Sequence, residues 1–122
     1  MSTLILVIQI LLVIAFLMGG GMKIIHSIEK LAGMMPWVKE YPVSTIRFIG
    51  TSEVLGAVGL IIPWWTNILP VLTPLAAGLL ALIMVLAGAH HLRRKEYKEV
   101  AVNTVLFTLL IIVCWYRFQP LH

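Results

Sequence analysis

The sequence predicts an all-α integral membrane protein, a four-helix bundle with short loops in which residues 1–122 form a single transmembrane domain. Three observations carry that prediction. Hydrophobic residues make up 61% of the chain and the mean hydropathy is +1.02, so a water-soluble domain of this composition would expose far too much apolar surface. Four apolar runs, residues 3–21, 44–62, 68–89 and 100–116, each approach the roughly 20 residues with which a helix crosses about 30 Å of hydrocarbon. The charged residues gather between the runs, so the net charge of +4 reads as a topology signal of a protein in a lipid bilayer and not as a nucleic-acid surface.

The first run carries one strongly polar interior residue, Gln9, which reads as a hydrogen-bonding partner for a neighbouring helix. By depth, Gln9 also falls near the layer of Glu53. The run lacks a basic leader and a small-x-small cleavage site, so it is expected to be retained and not removed as a signal peptide. It closes with Gly19, Gly20, Gly21, Met22 and Lys23, a string that follows no strand and so fails the context a phosphate-binding loop requires. From Lys23 to Tyr41, Ile24, Ile25, Ile28 and Leu31 recur at helical spacing among Lys30, Lys39, Glu29 and Glu40, with Trp37 close behind. A short amphipathic turn lying in the membrane interface fits this pattern.

Pro42 and Pro63 bracket the second run where a helix would start and stop. Glu53 then lies about 14 Å from either end at about 1.5 Å per residue. A charged carboxylate at that depth costs about 2.5–3.5 kcal/mol, so Glu53 is expected to be uncharged or turned toward protein or water. Ile49, Gly50, Gly56 and Ala57 share its helix face, and the small ones among them let another backbone approach. Glu53 therefore points into a helix interface. It reads there either as a hydrogen-bond donor across that interface or as an acid–base group in contact with a ligand. Arg47 lies about 120° around the helix from Glu53, so the two are expected to take different partners. Arg47 is suited to snorkelling or to holding an anionic head group, a quinone carbonyl or an acidic residue.

The connection from Pro63 to Asn67 is uncharged, and Trp64 and Trp65 read as an aromatic belt. In the third run Pro70 is expected in the first helical turn and Pro74 as a slight kink, while Ala76, Ala77, Gly78 and Ala81 supply close packing. The run ends at His90 and His91. Consecutive helical residues point about 100° apart and no carboxylate follows at ligand spacing, so no metal is expected and one of the two is expected to pack inward while the other joins the basic loop. The fourth run carries Asn103 near its start, Thr108 near the level of Glu53, and Cys114 beside Trp115 and Tyr116. As the sole cysteine, Cys114 excludes an intrachain disulfide or dithiol centre and reads as a packing residue.

Lys23, Lys30 and Lys39 follow the first run, and Arg93, Arg94, Lys95 and Lys98 follow the third, whereas the connection after the second carries no charge. The positive-inside rule places both basic connections in the cytoplasm and both termini outside, with Arg117 counting against. On that orientation Lys23, Arg47, His90 and Asn103 form a basic cytoplasmic layer, distinct from a central layer at Glu53.

Taken in order, these residues resemble the DoxX-like family of small four-helix membrane proteins over nearly the whole chain. The resemblance rests on Gly20, Gly21, Met22 and Lys23, on Arg47, Gly50, Glu53, Gly56, Gly59 and Leu60 leading to Pro63, on Thr73, Pro74, Leu75, Ala76 and Ala77, on His91, Leu92, Arg93 and Arg94, and on Asn103. It implies a four-helix bundle in the bacterial cytoplasmic (inner) membrane. It also implies, because some relatives are named as small subunits of quinol-linked oxidoreductases, a non-catalytic subunit or assembly factor of a larger membrane complex. The chain has no haem, iron–sulfur or paired-cysteine signature, so no cofactor is evident beyond a quinone or lipid.

The alternative expectation is a small membrane enzyme or binding protein for an apolar quinone- or isoprenoid-like molecule. There Glu53 would be the catalytic acid or hydrogen-bond donor, and Arg47, His90, Lys23, Asn103 and Gln9 would bind the ligand. The subunit reading requires a lipid-facing stripe of small residues; the binding reading requires an intramembrane cavity lined by Glu53. A carrier has little support from four short helices without inverted repeats. A homodimer is the expected self-association, because so small a bundle buries more surface by pairing.

Overall fold

The computed structural model describes residues 2–118, and every element in it is helical. In chain order these are α1 (Ser2–Ile25), α2 (Ile28–Met34), a 3-10 turn (Pro36–Glu40), α3 (Val43–Gly59), α4 (Ile62–Thr66), α5 (Leu72–Arg93) and α6 (Tyr97–Phe118). Four stretches, Thr3–Ile25, Val43–Thr66, Leu72–Arg93 and Tyr97–Phe118, are long and apolar enough to cross a membrane. The chain is thus an all-α membrane bundle.

The glycine run at residues 19–21 does not end α1. A helix-interior glycine costs only about 1 kcal/mol relative to alanine, and packing against α3 offsets that cost. α1 and α3 are antiparallel, and they touch backbone to backbone at Gly20 and Gly50. A Cβ added at Gly20 would lie 2.7 Å from the Gly50 carbonyl oxygen, and one at Gly50 would lie 2.7 Å from that of Gly20. Only residues without a side chain permit such a crossing.

Pro63 starts a helix instead of stopping one. α3 closes at Gly59, Ile61 turns the corner with φ −132°, and Pro63 occupies the first turn of α4, which carries Trp64 and Trp65. Left-handed Asn67 (φ 57°) and Leu69 (φ 48°) then reverse the chain, so Pro70 precedes α5 and is not part of its first turn. α5 in turn passes the expected end and runs to Arg93. It is terminated by Lys95 in the left-handed conformation (φ 59°), with the Lys95 N–H donating to the Leu92 carbonyl at 3.1 Å and the Glu96 N–H to that of His91 at 2.9 Å. These two bonds satisfy carbonyls that a helix end otherwise leaves open.

α5 and α6 form the second antiparallel pair. It meets the first where Gly56 lies against Leu80 and Gly59 against Ala76. Near this contact Leu12, Phe16, Ala57, Leu60, Ala77, Leu80, Leu110 and Val113 form the main core, in the half of the bundle nearer α4. The connecting segment at the other end is docked by a core of its own, in which Leu31 and Val38 pack on Ile46 of α3. Ser27 caps α2 by accepting the Lys30 N–H at 3.2 Å.

Candidate functional site

The basic half of the bundle, between the two helix pairs, holds a cavity of about 630 Å³. All four long helices line it, and Met35, Trp37 and Tyr41 of the connecting segment form its roof. Its walls are mainly apolar, from Phe16, Phe48, Ile49, Met84 and Leu106. Of the residues the sequence nominates, Lys23, Glu53, His90 and Asn103 line this cavity, whereas Arg47 and Gln9 do not.

Glu53 points into the interface its small neighbours indicate, and what meets it there is a cation. Lys23 Nζ donates to Glu53 Oε1 at 2.6 Å, with the two side chains only 10% and 6% exposed. The separate basic and acidic layers expected from residue depth do not exist at this point. A helical Cα–Cβ bond tilts toward the helix N-terminus, so the Lys23 stem runs back along α1, away from its boundary and toward Glu53. The glycine crossing sets the separation: the Lys23 Cβ faces Gly50 and the Glu53 Cβ faces Gly20.

Arg47 takes different partners from Glu53, as its angular offset requires. Its Nη1 donates to the carbonyls of Lys23 and His26 at 2.6 and 2.7 Å, capping the end of α1. Gln9 lies in the half nearer α4 and does not reach the Glu53 layer. Its Nε2 donates to the Leu60 carbonyl at 2.7 Å, an acceptor left free where α3 ends, and its Oε1 accepts from Arg117 Nε at 2.9 Å. The Arg117 guanidinium stacks 4.1 Å from the Trp64 ring centre. Thr108 is exposed and turns its hydroxyl back to the Thr104 carbonyl at 2.9 Å, so it belongs to no central polar layer.

Both histidines face the cavity, where one was expected to leave for the loop. The reason is that α5 continues past them, so both remain on a packed helix. His90 Nδ1 lies 2.9 Å from the Tyr41 hydroxyl, while its Nε2 and Asn103 Nδ2 are buried without a partner among the described residues. His91 is buried and its Nδ1 lies 2.8 Å from Glu96 Oε1. That hydrogen bond is the main cause that holds the Glu96 carboxyl below the ordinary carboxylate range; partial burial opposes it and the Arg94 guanidinium adds to it. Arg94 also pairs with Glu40, tying the 3-10 turn to the α5–α6 hairpin. Trp37 packs edge-on against Tyr41, His90 and His91, with ring centres 5.9 to 6.1 Å apart.

Trp37, Tyr41 and Glu96 are among the site residues that sequence reasoning missed. Spacing gives no sign of the first two, since nothing local says that an interfacial tryptophan folds back over a cavity. Glu96 becomes a partner of His91 through the left-handed turn at Lys95, a conformation lysine does not advertise. Among the described residues no set of three histidine, cysteine or acidic side chains is grouped to hold a metal ion. The arrangement can offer an apolar molecule a partly enclosed volume with a paired donor and acceptor on one wall.

A family model described as the DoxX-like family matches residues 7–113. No curated protein and no solved structure matches the chain.

Proposed function

The chain belongs to the DoxX-like family, and we propose that it is a membrane binding protein for an apolar quinone- or isoprenoid-like molecule seated between its two helix pairs. The observation that carries this reading is the cavity of about 630 Å³ with the Lys23–Glu53 pair on its wall. That volume falls in the range of roughly 300–1,000 Å³ typical of small-molecule sites, which combine apolar walls with a few placed polar groups. Phe48 and Leu86 line the cavity and are largely exposed, which supports entry of a ligand from the acyl chains.

A subunit or assembly factor of a quinol-linked complex has less behind it. That reading looks for small residues on the lipid-facing surface, but Gly20, Gly50, Gly56 and Gly59 are used inside the bundle. The outward side chains include Leu11, Ile14, Phe48, Leu55, Leu79 and Val105. In the orientation favoured by the positive-inside rule, within a bacterial inner membrane, the roof of the cavity faces the cytoplasm.

Purification in a gentle detergent followed by native mass spectrometry tests the proposal. The expected spectrum shows a retained apolar adduct on the native chain that is lost from the Lys23→Met/Glu53→Leu double variant. A stoichiometric foreign subunit without an adduct would support the subunit reading instead, and the bare chain alone would contradict both.

A further inference from the structure

We propose that the head group this cavity accepts is a hydroxyl, carried by an uncharged prenyl-type alcohol or by a quinol; the inference rests on the binding reading above and specifies its ligand. Glu53 uses Oε1 for Lys23, while Oε2 accepts no hydrogen bond from any described residue, and Glu53 lines the cavity. Lys23 has three N–H donors and commits one to Glu53. Lys23 Nζ and Glu53 Oε2 both lie close to the bare backbone of Gly19, where an added Cβ would be 3.9 Å from the first and 4.0 Å from the second. The wall therefore presents two uncommitted Lys23 N–H donors beside one acceptor oxygen, with no side chain of Gly19 to cover them.

A hydroxyl pairs with one of these donors and with the acceptor through a single atom, its oxygen accepting from Nζ and its proton donated to Oε2. A carbonyl or an ether accepts from Lys23 but leaves Oε2 shielded and unpaired, which is costly for a charged acceptor. A phosphate would bring its charge against the Glu53 carboxylate, and an ammonium would bring its charge against Lys23. Because the two protein charges cancel, the wall favours neither ion and selects an uncharged head.

The test is displacement of tritiated geranylgeraniol from the full chain in lipid nanodiscs. The competitors are geranylgeraniol, its methyl ether and its phosphate, together with decylubiquinol kept reduced and decylubiquinone. The inference expects the alcohol to compete about ten- to a hundredfold better than the ether, the loss of one hydrogen bond to a charged group, and better than the phosphate. The quinol should be preferred over its quinone by a similar factor, because the quinone carbonyl cannot donate to Oε2, and equal binding of the two would count against the hydroxyl inference. Gly19→Ala sets a methyl at ordinary contact distance over the pair without disturbing it, and should abolish the alcohol-over-ether preference while leaving ether binding in place. Equal binding of alcohol, ether and phosphate would overturn the hydroxyl inference and leave the binding reading standing. Failure of all of them to bind would overturn both.

Discussion

An ammonium and a carboxylate 2.6 Å apart and largely shielded from solvent hold each other in place, because removing either leaves a buried charge without a partner. Glu53→Leu and Lys23→Met should each destabilise the protein by about 3–5 kcal/mol, while the double variant should lose less than either single change. Thermal unfolding of the four proteins in one detergent checks this, and additive losses would mean the pair is not coupled. Glu96 makes the second residue-scale prediction. Its carboxyl is held below the ordinary carboxylate range, chiefly by His91, so the stability it contributes is fully present above that range and is lost progressively as pH falls from it through the lowered value. A pH series of melting temperatures should show the native protein losing this contribution progressively as pH falls from the ordinary carboxylate range to the lowered value, and Glu96→Gln should remove that part of the acid transition. At this scale the sequence revealed that Glu53 points into a helix interface and that Glu53 and Arg47 take different partners. It concealed the Lys23 contact, since depth counted by backbone rise ignores a long side chain that runs backward along its helix.

Helices here are positioned by absent side chains at crossings and by turns that close their ends. Gly20→Ala should destabilise the bundle by about 1–3 kcal/mol, the usual range for overpacking, even though alanine is the better helix former. The new methyl meets the Gly50 carbonyl oxygen at 2.7 Å, so α1 and α3 must separate and carry Lys23 away from Glu53. Equilibrium unfolding reads the loss, and a neutral result would mean the crossing is looser than described. Lys95→Gly should act in the opposite direction, gaining up to about 1 kcal/mol by relieving a left-handed residue, and its melting temperature should rise. The existence of the four long helices was legible because apolar runs of spanning length have few other folds open to them. Their ends were less so: Pro63 looked like a stop and begins α4, and the glycine run at residues 19–21 looked like a terminus, whereas its Gly20 makes the α1–α3 crossing. In each case a tertiary contact overrode a local preference.

Across the whole molecule the two halves of the bundle are built differently. Near α4 the helix pairs close on a packed core of Leu, Ala and Val, braced by Gln9 between the Leu60 carbonyl and Arg117. At the basic end the pairs leave the cavity, and the connecting segment, docked through Leu31, Val38 and the Arg94–Glu40 pair, covers it. That division was not legible in the sequence, because whether polar residues on separate helices converge depends on crossing geometry that hydropathy does not encode. The most direct test of the binding account is photo-crosslinking in native membranes with a diazirine-bearing isoprenoid alcohol, followed by peptide mapping. The account predicts adducts concentrated on cavity residues such as Ile49, Met84 and Leu106, competed away by unlabelled alcohol; adducts spread over the outward Leu55, Leu79 and Val105 without competition would contradict it.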